Sequence, residues 1–443
     1  MRHPVQHPAR LVPLAFLIAI FVGTALLMLP LSRSGPEGAP FLAALFTATS
    51  AVCVTGLIVQ DTPTYWSVFG QGVILILFQV GGFGIMTSAT LLGLLVTRRL
   101  KLSSRLVAQA ETKSLTLGDV TGILRLILIV TVTVELLTAI LLTLRLRYSY
   151  GNPWDEALWN GLFQAVSAFN NAGFSTYSDS LSGFATDPAV LAPIMAAVVI
   201  GGLGFPVLFE LRKGVLKPAR WSIHTKITLI GTAFLLVLGV IAVTAYEWTN
   251  PATLGVFDWP EKLLNAASHS VMTRTAGFNS IDVGSMRIET LTVSYALMLI
   301  GGGSAGTAGG IKVTTFFLLG FVVWAEIRGQ NDATAFNRRI GTHVQRQALT
   351  VVLLAVGMIT AGVLILLSVT SFPLQDVVFE VVSAFATVGL STGITGELPA
   401  AGQLVIIVLM FVGRVGTITL ASALALQERY VLYRYPEERP IVG

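Results

Sequence analysis

Four short turns carry the residue types from which a protein could build a coordination shell for a bare cation. They are Val54-Thr55-Gly56, Asn171-Ala172-Gly173, Thr275-Ala276-Gly277 and Thr387-Val388-Gly389, closing the strings SAVCVTG, SAFNNAG, VMTRTAG and SAFATVG. The glycines stand 117, 104 and 112 residues apart, so one structural unit is used four times. Glycine admits backbone angles that aim successive carbonyls the same way. Four such segments meeting at one axis would form a ring of main-chain oxygens able to replace an ion's hydration. No aspartate or glutamate occurs in any triplet. A charged ring favours divalent ions, whereas neutral carbonyls suit a monovalent alkali cation.

A second mark follows each turn by about 25 residues: Gly81-Gly82, Gly201-Gly202, Gly301-Gly302 and, broken, Gly413-Arg414. The first two pairs read as packing sites, where small residues let helices approach. The third opens a run that no stable helix contains: Gly301, Gly302, Gly303, Ser304, Ala305, Gly306, Thr307, Ala308, Gly309 and Gly310, followed by Lys312. Each glycine in a helix costs about 1 kcal/mol relative to alanine. Arg414 occupies an apolar stretch, and an arginine in a membrane is expensive unless it faces a cavity.

The elements that must position these residues are membrane helices. The 443-residue chain is 54% hydrophobic and 12% charged, with a mean hydropathy of +0.78; a soluble domain carries about 25% charge. Apolar runs of roughly 20 residues recur throughout. Each unit reads as span, outer loop, short helix, glycine turn, span. The spans are expected near Leu11–Leu31 and Trp66–Val96, Gly122–Leu144 and Pro188–Leu211, Lys226–Glu247 and Ile288–Ile327, and Gln347–Thr370 and Ala400–Gln427. The short helices are expected at Ala39–Ser50, Trp154–Phe169, Pro260–Met272 and Pro373–Phe385, opened by proline or acidic residues as helix starts prefer. The expected fold is all-α and integral to a membrane, with eight transmembrane helices in pseudo-fourfold arrangement around one ion pore. The repeats run 1–118, 119–220, 221–340 (with the intramembrane loop 301–310) and 341–443.

Positive charge sorts by loop. Of the 28 lysines and arginines, 21 fall in one alternating set of loops and termini and five in the other. By the positive-inside rule the rich set is cytoplasmic, both termini are inside, and the glycine turns lie toward the outer half of the bilayer. The same sorting explains the basic pI of about 9.4 without nucleic acid. The apolar N-terminal run is too long for a signal peptide and reads as a retained first span.

The motifs Thr273-Arg274-Thr275-Ala276-Gly277-Phe278-Asn279, Phe169-Asn170-Asn171-Ala172-Gly173-Phe174 and Ala386-Thr387-Val388-Gly389-Leu390-Ser391 give the chain a resemblance. It is similar over nearly its whole length to the Ktr/Trk/HKT superfamily of potassium transporters, and among them to the shorter Ktr-type membrane subunit. The resemblance implies potassium uptake across the cytoplasmic membrane. Gly56 stands where serine accompanies sodium transport in plant relatives. It further implies that loop 301–310 acts as a gate beneath the filter and that Arg414 shapes the barrier with it. It implies sodium as a possible activator, a homodimer, and a cytoplasmic nucleotide-binding regulatory ring (KtrA-like). Nucleotide would act only through that partner, since the chain has no GxGxxG after a strand. The basic stretches 97–105, 210–226 and 328–346 and the tail 428–443 are the docking surfaces to consider, with anionic membrane lipid as the other partner.

Other polar residues have plainer readings. Arg274 is expected to bond carbonyls behind its turn, and Asn170 and Asn171 either line the filter mouth or brace it. Glu135, Glu380 and His269 read as buried, hydrogen-bonded support. The single cysteine, Cys53, reads as a small buried residue. An enzyme is not expected: no His-Glu-x-x-His and no aspartate cluster occurs, and catalysis would leave the fourfold glycine unexplained. A sodium- or proton-coupled symporter of the same fold is the alternative.

Overall fold

The computed structural model describes residues 8–99, 120–215 and 217–416. It is mostly helical; the strands among the described residues form one small hairpin, Thr334–Ala335 against Arg338–Arg339. The basic loop around Lys101, Arg105 and Lys113, both chain ends and the tail 428–443 lie outside the described residues.

Four short helices appear where they were expected: Phe41–Val52, Trp154–Asn170, Trp259–Met272 and Leu374–Ala386. With 12 to 17 residues and a rise of about 1.5 Å per residue, none spans a hydrocarbon core of about 30 Å. Their starts follow local chemistry. Proline precedes three of them, and Asp258 with Glu261 forms a capping box on the other. Each is buried toward its C-terminal end: the last eight residues of both Trp154–Asn170 and Leu374–Ala386 are all inside the protein.

The long helices wrap these ends. Leu124–Ser149, Ile223–Glu247 and Thr342–Val369 are each long and apolar enough to cross a membrane. Only 17% of the most apolar window of Thr342–Val369 is buried, so most of that helix faces outward. Leu353, Leu364, Ile140, Ile230 and Phe21 are similarly exposed. Such a belt is stable against lipid rather than water. Inside, Phe78 packs edge-on against Phe163 and stacks with Phe174, joining the first and second units. Val68–Arg99 is longer still, at 32 residues; the remaining apolar helices are shorter, among them Val12–Leu27, Ile288–Leu299 and Val313–Ile327.

The structure departs from the expected elements at three points. Pro188–Leu211 is not one span: helix Pro188–Leu203 stops at Gly204 and helix Phe205–Gly214 leaves at 99°. Gly204 has φ +90, and a Cβ there would collide with the Ser304 carbonyl, so the break is made where another segment crosses. The interruption in the third unit is wider than the glycine run, from Ile300 to Lys312. After Ala400–Phe411 the backbone takes a π turn, Val412–Gly416, around Arg414.

Candidate ion pathway

Each glycine turn begins as its short helix ends. The backbone then alternates in sign of φ. Val54, Asn171, Thr275 and Thr387 are at +56, +58, +68 and +50, and Gly56, Gly173, Gly277 and Gly389 two residues later are at +90, +72, +74 and +94. Non-glycine residues rarely take positive φ, so four instances at one register are a built feature.

The four glycines stand side by side in chain order and the series closes. A Cβ on Gly56 would lie 3.0 Å from the Cα of Gly173, and one on Gly173 would lie 3.0 Å from that of Gly277. One on Gly389 would lie 3.1 Å from the Cα atoms of both Gly277 and Gly56. The same positions meet main-chain oxygens of the next turn: Ala172 O for Gly56, Ala276 O for Gly173, Val388 O for Gly277 and Thr55 O for Gly389. All four glycines line one cavity of about 160 Å³, shared with Asp61, Tyr177, Ser178, Asn279 and Ser391.

Serine hydroxyls brace three of the turns. Gly56 N donates to Ser50 Oγ and Gly389 N to Ser383 Oγ, both at 3.1 Å, while Ser167 Oγ donates to Phe174 O at 2.7 Å. Each serine lies six residues before its glycine. The third turn has Val271 there and differs: Ala276 N and Gly277 N both donate to Met272 O. These serines are marked in the sequence by the Ser-Ala pair that opens three of the four strings.

The glycine pairs pack against helix ends. A Cβ on Gly81, Gly201 or Gly413 would collide with the carbonyl oxygen of Val52, Phe169 or Phe385, each four residues before a filter glycine. At Gly201-Gly202 the neighbour is also the loop 301–310. Thr307 N donates to Gly201 O at 3.1 Å and Gly303 N to Gly202 O at 2.8 Å.

That loop is fastened to the turns above it. Thr307 Oγ1 donates to Asn171 Oδ1 at 2.9 Å, and Gly309 N to Thr275 Oγ1 at 3.1 Å. A Cβ on Gly309 would strike Thr387 Oγ1. Arg274 reaches from the third turn and donates Nη2 to Gly301 O; its own carbonyl accepts from Asn171 Nδ2 at 3.4 Å. Arg274 therefore bonds a carbonyl, as expected, but one in the loop. Lys312 Nζ donates to Ala308 O at 2.6 Å. Arg414 is buried and its Nη1 lies 3.5 Å from Thr387 Oγ1. Its Nε and Nη2 have no protein partner among the described residues.

A model of the TrkH family, described as cation transport protein, matches residues 15–433. The chain belongs to this family. Within it, the chain is 40% identical to the Ktr system potassium uptake protein B of Bacillus subtilis, covering 98% of this chain and 97% of that protein. It is 34% identical to the protein of the same description from Vibrio alginolyticus, over 98% and 94%. It is 36% identical to the potassium/sodium uptake protein NtpJ of Enterococcus hirae, over 98% and 97%. Its fold matches the crystal structure of the potassium transporter TrkH from Vibrio parahaemolyticus with a TM-score of 0.73, at 15% identity over 95% of this chain and 85% of that one. The resemblance drawn from the turn motifs thus holds across the chain.

The remaining polar residues of this TrkH-family chain are braces. Asn170 and Asn171 are both buried with their amides engaged inside the protein. Glu380 accepts from Ser391, from Thr392 N at 3.2 Å and from Thr395 Oγ1 at 2.8 Å, tying down the segment beyond the fourth turn. His269 Nε2 pairs with Ser294 Oγ at 3.0 Å. Cys53 is buried and free. In the cavity beside the four glycines Asp61 accepts from Thr64 at 2.6 Å and from Ser178 at 2.7 Å, linking the first two units. No group of three or more His, Cys, Asp or Glu suited to a resident metal occurs among the described residues.

Proposed function

We propose that the chain takes up potassium across the cytoplasmic membrane through a single pore on a pseudo-fourfold axis, formed by eight spans, with both termini cytoplasmic. The filter is the ring Val54-Thr55-Gly56, Asn171-Ala172-Gly173, Thr275-Ala276-Gly277 and Thr387-Val388-Gly389. One observation carries the reading: the closed series of glycine contacts, each against a main-chain oxygen of the next turn. In an extended chain of uniform φ sign, carbonyls alternate sides. Alternating the sign turns successive carbonyls the same way, as a hydration-replacing ring requires. The four short helices end at this ring, and their C-terminal dipoles favour a cation there. The absence of acidic side chains from the triplets favours a monovalent ion, and the two Ktr relatives are described as potassium uptake proteins.

Residues Gly301–Gly310, with Lys312 and Arg414, form the gate. Main-chain and side-chain bonds hold the loop under the turns, and none of its own side chains is larger than threonine, so moving it displaces no bulky apolar group. We further propose that the chain works as a homodimer on a cytoplasmic nucleotide-binding ring, which docks on the basic stretches and pulls the gate. The description of its relatives as parts of a Ktr system supports a multi-component assembly. Sodium coupling is the second reading, favoured by the potassium/sodium description of the Enterococcus relative.

The test is rescue of a potassium-starved cell lacking its own transporters. The intact chain should restore growth and Gly277→Ser should not. Equal rescue by both would overturn the filter assignment. Reversal potentials in defined potassium, sodium and proton gradients separate a passive pore from a coupled carrier.

A further inference from the structure

Behind the second glycine turn lies a polar clasp that the ion pathway itself does not use. Asn170 ends its short helix and immediately precedes the left-handed Asn171. Its side chain is fully buried. The two hydrogens on Nδ2 are shared among three acceptors: Gln79 Oε1 at 2.5 Å, Val166 O at 2.9 Å and Glu135 Oε1 at 3.1 Å. Gln79 Nε2 in turn donates to Glu135 Oε2 at 3.3 Å. The two partners come from two different long helices, Val68–Arg99 and Val120–Ser149.

A separate observation points to the same place. A Cβ on Gly82 would collide with Asn170 Oδ1, so the second glycine of that pair makes room for this amide. The other turns carry Cys53, Arg274 and Ala386 at the matching position. The clasp therefore belongs to one turn of four. A carboxyl in an apolar helix is costly unless it is bonded, and here its partners are the two amides.

The geometry points to Glu135 and Gln79 as positioning residues for the second turn: through Asn170 they fix where Asn171–Gly173 stands and so set the affinity of the ring for potassium. This rests on the potassium-pore reading above. In water such a network would exchange freely with solvent. Sealed in the bundle, its geometry is transmitted to the backbone one residue away.

The test measures initial potassium uptake by the full chain in cells lacking their own transporters, normalised to chain in the membrane. Glu135→Gln keeps the shape but turns one acceptor into a donor facing the Asn170 and Gln79 amides. The KM for potassium should rise about two- to tenfold, the range that one net hydrogen bond commands, with Vmax per chain held. The exchange Gln79→Glu with Glu135→Gln preserves every bond of the clasp, with Asn170 still donating to both and the amide at 135 donating to the carboxylate at 79. It should return KM to the parental value. A parental KM in Glu135→Gln, a loss confined to Vmax, or an exchange variant as impaired as the single one would overturn the proposal. Should the single variant fail to reach the membrane, the exchange variant decides alone, its KM being parental or not. Absence of saturable potassium uptake in the parent chain would instead refute the pore reading.

Discussion

Thr307 donates its hydroxyl to Asn171 Oδ1 across 136 positions of sequence, tying the glycine-rich loop to a turn of the ring above it. A loop held shut by such bonds should open when they are removed. Thr307→Val keeps the volume and loses the donor, and potassium uptake should rise about two- to tenfold. Deleting residues 304–307 should raise it further, without any partner subunit. Tracer uptake into proteoliposomes measures both, and unchanged flux in the deletion would refute the gate.

Gly389 and Gly393 separate crowding from backbone strain. Both have positive φ, +94 and +103, but a Cβ on Gly389 would collide with Thr55 O whereas one on Gly393 meets nothing within 4 Å. Alanine at either place carries the left-handed penalty of about 1–2 kcal/mol. Only Gly389→Ala also displaces a carbonyl of the ring. It should abolish selective potassium uptake, while Gly393→Ala should lower thermal stability modestly and leave selectivity intact. Paired reversal-potential and melting measurements check this.

The ring was legible because its demands are local. A turn that needs positive φ and close approach writes glycine into the chain at the same register each time, and the short helices ahead of it write proline and acid at their starts. The break at Gly204 was less visible, although Pro206 inside the expected span was a usable sign. The clasp on Asn170 could not be read: Gln79 and Glu135 are 91 and 35 positions away, and nothing in either helix marks the side chain as turned toward the second unit. The place of Arg274 beside its turn marks it as a brace, but its partner Gly301 depends on how the loop folds back, which periodicity does not encode.

Asp187 gives the fold a pH dependence outside the pore. It caps the helix Pro188–Leu203 through Ala189 N at 2.9 Å and accepts from Arg145 Nε at 2.8 Å and Tyr150 at 3.0 Å. Burial pushes its carboxyl up, but these hydrogen bonds and the Arg145 charge outweigh burial and hold it below the usual range. A depressed folded value means the stabilisation is complete above the unfolded value of about 3.9 and is lost as pH falls through the folded one. Melting temperature in detergent should therefore drop as pH is lowered from about 5 to about 3, and Asp187→Asn should flatten that part of the profile. A variant with the parental slope would show that other carboxylates carry it.

The proposed gate predicts an effect of Arg414 on the rate of ion passage. Its guanidinium is buried in the π turn, with Nη1 beside Thr387 of the fourth glycine turn and the rest of its donors unpartnered among the described residues. A fixed positive charge about 8 Å from a passing cation, at an effective dielectric near 20, opposes it by about 2 kcal/mol, or roughly thirtyfold in rate. Arg414→Gln should speed potassium flux by up to that factor, and Arg414→Lys, which keeps the charge, should not. Because both variants remove the same planar group, a gain shared by the lysine variant would assign the effect to packing of the π turn. A gain confined to glutamine assigns it to charge. Stopped-flow flux into vesicles at matched protein density makes the distinction.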